Sequence, residues 1–87
     1  MGSYELGIRK EVLDELLSGI YATSVNIMVQ YPPDARTSLR KMSREIYSIG
    51  YEIRDAKTME ELEIVDKKLL EYHKKLCKIE SGETPVV

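Results

Sequence analysis

His73 and Cys77 stand four residues apart in a stretch with helical spacing, which puts an imidazole and a thiol on one face, as two ligands of one metal ion require. Structural zinc takes four ligands, and the chain holds one histidine and one cysteine. Only a symmetric pair of chains could complete a His₂Cys₂ set. Ligand counting therefore favours the alternative, a buried cysteine packed as a small apolar residue beside a boundary histidine. No metal and no other cofactor is expected. A second group is basic. Arg36, Arg40, Lys41 and Arg44 cluster on the first turns of a middle helix, and Tyr47, Tyr51 and Arg54 continue its outer face. Arginine and tyrosine in alternation can hold phosphates and stack bases, and the same patch fits an acidic protein surface. Glu45, Glu52 and Asp55 dilute it, and a formal net charge of −2 opposes strong nucleic-acid binding.

Catalytic residue sets are absent from the sequence pattern: no Ser/His/Asp arrangement, no glycine-rich phosphate loop, no cysteine in an activating setting. One stretch has a likeness. IRKEVLDELL, Ile8 to Leu17, resembles the start of the first helix in the small all-helical chorismate mutases, which are three-helical and dimeric through that helix. The resemblance covers about ten residues of a common helical pattern. It implies an anion-binding place for Arg9, with the basic helix as a second anion binder. Beyond that stretch the chain departs from the family: a second arginine and a lysine late in the first helix have no counterpart here, nor does the family's late glutamine or glutamate.

The elements that position these residues read as three helices. Thr58 to Glu61, TMEE, is a capping box. After it Leu62, Val65, Leu69, Tyr72, Leu76 and Ile79 step by alternating threes and fours, a heptad seam. Ser81-Gly82 stops that helix, since glycine takes the left-handed cap conformation at little cost. The middle helix carries the same period in Ala35, Leu39, Met42, Ile46, Ile49, Ile53 and Ala56, begun by Asp34 after Pro32-Pro33. In the first helix Leu6, Leu13, Leu17, Ile20, Ser24, Ile27 and Tyr31 make one stripe, broadened by Val12, Leu16, Tyr21 and Met28. Val25, Ile27, Val29 and Tyr31 also alternate as in a strand, but a lone strand would have no partner. Leu70, His73 and Cys77 widen the stripe of the third helix.

These patterns predict an all-α fold: a three-helix antiparallel bundle with a long first helix, pairing into a six-helix assembly. The expected layout is a single domain over 1–82, with helices at about 4–31, 34–56 and 59–80 and a flexible tail at 83–87. The 43% apolar content suits a globular core, and with no Trp or Phe that core must be aliphatic with tyrosine at its edges. One cysteine and the lack of a basic head and apolar run in MGSYELGIRK predict a reduced, cytoplasmic setting. One Asn and one Gln among many Lys, Arg, Asp and Glu give a thermophile-like composition.

One stretch breaks the charge pattern. SGIYATSVNIMVQYPP, Ser18 to Pro33, holds no charge in a chain that is 32% charged. It is too short and too polar to span a membrane, and it lacks the basic face of an interfacial helix. Ile20, Ser24 and Ile27 account for the buried side. On the other side Gly19, Ala22, Thr23, Asn26 and Gln30 are small or polar, where the rest of the chain would place Lys or Glu. Small residues let a second helix approach, and amides can pair across a two-fold axis. Ser43, Tyr47 and Gly50 form a further strip suited to close contact. The sequence thus predicts a non-catalytic assembly module that forms a homodimer through the first helix, with a further protein partner on the basic face. An accessory role in nucleic-acid processing is the second reading, and a mutase-like enzyme the third.

Overall fold

The structure, a computed structural model, describes residues 2–82, so the tail expected at 83–87 lies outside it. Helix α1 runs Gly2–Met28, α2 Thr37–Asp55 and α3 Met59–Glu80, with a single 3-10 turn at Pro33–Ala35 before α2. The described residues contain no strand, and α1 passes through Ser18-Gly19 unbroken. Cross-helix contacts fix the directions. Lys10 reaches Arg54 while Ser24 reaches Ser43, so α1 and α2 run antiparallel. Glu52 meets Lys68 and Glu45 meets Tyr72, so α2 and α3 do too.

The heptad positions form the core. Leu39, Ile46, Ile49 and Ile53 of α2, with Ala56 just past its end, are buried against Leu62, Val65, Leu69, Leu76 and Ile79 of α3 and Leu13, Ile20 and Ile27 of α1. Each buried leucine, isoleucine or valine contributes roughly 1.5–3 kcal/mol through burial. Met42 and Tyr72 close the edges as partly buried members.

Both ends of α3 follow from the local sequence. The Thr58 hydroxyl accepts from the Glu61 N–H at 3.2 Å, while the Glu61 carboxylate accepts from the Lys57 N–H and the Thr58 hydroxyl. Glu61 thus reaches back one residue further than in a standard capping box. At the other end Gly82 takes φ +110, where a side chain would be strained.

The α1–α2 link differs from the sequence expectation. α1 ends at Met28 rather than Tyr31, and α2 begins at Thr37 rather than Asp34. Pro32 and Pro33 have no N–H to donate, and each proline disfavours helical backbone in the residue before it. Gln30 and Tyr31 therefore close by shorter bonds, onto the carbonyls of Ile27 and Met28. Asp34 and Ala35 sit in the 3-10 turn, outside α2.

Between α1 and α2 lies a buried polar pair. The Ser24 hydroxyl donates to the Tyr21 carbonyl at 2.6 Å and stands 2.9 Å from the Ser43 hydroxyl. With the Ser24 proton committed to the carbonyl, Ser43 is the donor in the second contact. The two alanine substitutions should therefore differ. Ser43→Ala leaves Ser24 satisfied and costs less than about 0.5 kcal/mol, whereas Ser24→Ala strips Ser43 of its acceptor and costs about 1–2 kcal/mol. Urea denaturation of the two variants checks this, and equal costs would contradict the donor assignment.

Tyr72 spans α3 and α2. Its hydroxyl donates to a Glu45 carboxylate oxygen at 3.2 Å, and the Lys75 ammonium lies 5.3 Å from its ring centre. Burial raises the phenol pKa above its usual value, helped by the charge of Glu45, the hydrogen bond to it and the charge of Glu52. A raised folded-state pKa means stability that is complete below the unfolded value near 10 and is lost as pH climbs through the folded value. Tyr72→Phe should remove that loss. Urea midpoints of both proteins between about pH 8 and 11 test it, the expected result being a gap that narrows or inverts on the alkaline side.

Candidate interaction surfaces

Helix α1 has two neighbours, and together they cover only part of its circumference. Ile8, Val12 and Leu16, one turn apart, remain 47%, 48% and 42% exposed. This corrects the sequence reading for Val12, Leu16 and also Tyr21, which do not broaden the core stripe but stand outside it. Met28 alone of that group packs on the core. The exposed row has a continuation. At helical spacing Ile8, Val12 and Leu16 run into Gly19, Thr23 and Asn26, a line of roughly 27 Å that carries no charge. Ala22 lies beside it, exposed, and Gln30 lies past the end of α1, also exposed. The Thr23 hydroxyl donates to the Gly19 carbonyl at 2.9 Å. A Cβ added at Gly19 would meet nothing within 4 Å, so the face is open.

Arg9 borders this row. It pairs with Asp66 at 3.2 Å and so aligns α1 with α3, both side chains being over a third exposed. Leu70, one turn beyond Asp66, is itself exposed. Cys77 is exposed as well, which corrects the expectation of a buried thiol: Leu76 occupies the buried seam, and the next residue is turned about 100° away. Its sulfur lies 3.6 Å from His73 Nε2, on one face as the spacing required. Among the described residues no third acid, His or Cys joins them as a metal-ligand cluster.

On the opposite flank α1 and α2 enclose an open groove of about 500 Å³. Leu17, Gly50 and Ile53 line its base, Tyr21, Tyr47 and Tyr51 its walls, and Lys10, Asp14, Ser18 and Arg54 are its polar members. The tyrosines form a ladder: Tyr21 and Tyr47 have centroids 5.8 Å apart and planes at 58°, Tyr47 and Tyr51 6.3 Å and 74°. The Arg54 guanidinium lies 5.4 Å from the Tyr51 centroid, and its carbonyl accepts from Lys10 Nζ at 2.9 Å. A Cβ on Gly50 would come within 3.3 Å of a Leu17 methyl. Gly50 and Ser43 thus serve close contact between α1 and α2.

The structure divides the basic cluster. Tyr47, Tyr51 and Arg54 meet in the groove, while Arg40 and Arg44, both exposed, precede Tyr47 by two turns and one on the same outer face. Arg36 is diverted. Its Nε donates to the Tyr31 carbonyl at 2.7 Å and its Nη2 to the Val29 carbonyl at 3.3 Å, serving the groups left bare where α1 ends. Arg9 and Arg44 do not converge, since Arg9 faces Asp66 and neither lines the groove. The spacing of α2 alone could not reveal Tyr21, Lys10 and Asp14, which come from α1 through the antiparallel register. No family model matches the chain, and neither does any curated protein or solved structure.

Proposed function

We propose that the protein is a small non-catalytic assembly module that pairs with a second copy of itself through α1. The observation that supports this reading is the uncharged row from Ile8 to Asn26. An apolar half and a small, neutral half lie end to end on an open face, in a chain whose other exposed helix faces carry Lys and Glu. Water solvates the apolar half of such a face poorly, and the small residues of the other half leave room for a second helix to cover both. A homodimer of this kind is a six-helix assembly with the two α1 helices at its centre.

The test is the molar mass of the reduced protein by light scattering, beside an Ala22→Glu variant. Ala22 is exposed, so the new carboxylate is tolerated by the monomer while burdening a helix–helix contact. The expected result is a dimer whose dissociation constant rises at least about tenfold in the variant, or about 1.4 kcal/mol. A monomer at all concentrations, with the variant indistinguishable from it, would refute the module reading. An accessory role in nucleic-acid processing stands second, favoured by the exposed Arg40, Arg44 and tyrosine face of α2.

A further inference from the structure

The geometry points to the tyrosine groove between α1 and α2 as a docking site for an acidic amphipathic helix of a different protein. The site is separate from the self-pairing row, on the other flank of α1.

Shape is the first argument. Two antiparallel helices with a trough between them offer the seat that a further helix takes in a four-helix bundle. Gly50 and Ser18 keep the trough low, and Tyr21, Tyr47 and Tyr51 stand along it. Tyrosines offer large contact area with few torsions to freeze, and tyrosine with arginine is the composition of binding hot spots.

Charge then selects the occupant. Lys10 and Arg54 line the groove beside its single carboxylate, Asp14, and beyond the groove Arg44 and Arg40 extend the same face, with Asp55 one turn past Tyr51. The ion pairs among the described residues, Arg9–Asp66 and Lys68–Glu52, involve none of those cations. A second copy is a poor occupant: antiparallel pairing of two such faces would set the Arg54 end of one against the Arg40–Arg44 end of the other. A helix with an apolar row edged by Glu or Asp meets both the aromatic walls and guanidinium groups that no carboxylate pairs. Nucleic acid fits less well. Rings crossed at 58° and 74° do not present a run of parallel faces to successive bases, Arg54 lies over the Tyr51 ring, and Asp14 would oppose phosphate.

The experiment is a titration of the ¹⁵N-labelled full chain, in the Ala22→Glu background so that self-pairing is separated from it. The probes are helical peptides of about 15 residues with leucine on one face and glutamate on the other, the lysine counterpart, and an oligothymidylate of similar length. The expected result is shifts centred on Tyr47, Gly50 and Tyr51 with the glutamate peptide, and binding at least about tenfold weaker for the lysine peptide. Tyr47→Ala and Arg54→Glu, both at exposed positions, should each reduce that affinity, whereas Ile64→Glu on α3 should not. Equal binding of both peptides, no shift with either, or a salt-dependent response to the oligonucleotide alone would overturn the proposal. The last would transfer the groove to the nucleic-acid reading. A groove that binds in a chain that never dimerises would retain this inference while refuting the self-pairing one.

Discussion

Leu69→Ala is expected to cost about 3 kcal/mol, within the range of 2–5 kcal/mol for leucine-to-alanine changes in packed cores. Leu69 lies at the middle of the α3 seam and is fully buried, among core residues drawn from all three helices. Two terms add. The lost methyl groups forfeit their transfer free energy, and the surrounding aliphatic side chains cannot all move into the space because they are anchored on separate helices. A domain of this length has about 5–10 kcal/mol in hand, so the variant should retain a folded state with a markedly lower urea midpoint. The exposed Leu70 is the internal control: Leu70→Ala should change stability by less than about 0.5 kcal/mol in the monomer. Comparable losses at both positions would mean that α3 faces its neighbours differently from the arrangement described.

Arg36→Ala should be the next most costly change, at about 2 kcal/mol. A charged guanidinium donating to two carbonyls, one at 2.7 Å, makes stronger bonds than a neutral donor would. The side chain is half-buried, so removing it leaves the Tyr31 carbonyl without its protein donor. The positive charge also lies at the negative end of the α1 dipole, where α1 has no basic residue of its own in the last turn. Arg40→Ala and Arg44→Ala, whose side chains are exposed, should each fall within about 0.5 kcal/mol of the parent. Arg36→Lys separates charge from geometry: an ammonium keeps the dipole interaction but not the fork, and should recover less than half of the loss. Thermal or urea unfolding of the four variants decides it, and a neutral Arg36→Ala would release Arg36 to the basic patch after all.

The residues of the α2 and α3 cores were legible because a strict alternation of threes and fours has few readings. Leu62, Val65, Leu69, Leu76 and Ile79 are all buried, as that period requires. Residue type gave much less guidance around α1. Val12, Leu16 and Tyr21 are as apolar as Leu13 and Ile20, and what separates them is the width of the arc that two neighbouring helices cover. That width depends on the packing of α2 and α3. The same limit applies to Leu70 and Cys77 on α3. The role of Arg36 was hidden for another reason. Its neighbours in sequence are cations, but its partners are carbonyls whose exposure depends on where α1 stops. Of the groove, Tyr47, Tyr51 and Arg54 could be found from the spacing of one helix, while its α1 wall required knowledge of how α1 lies against α2.

The Ser24–Ser43 pair has a consequence for how the chain can change over generations. Most of the α1–α2 contact is aliphatic, and leucine and isoleucine tolerate exchange for one another at modest cost. A slip of α1 by one turn would still set aliphatic groups against aliphatic groups, but it would take the Ser43 hydroxyl from its acceptor, while Ser24 keeps the Tyr21 carbonyl of its own helix. The pair therefore penalises the wrong alignment more than it strengthens the right one. Position 43 should accordingly stay polar only where position 24 offers an acceptor, whereas serine at 24 persists beside alanine at 43, and the leucines and isoleucines around them vary singly.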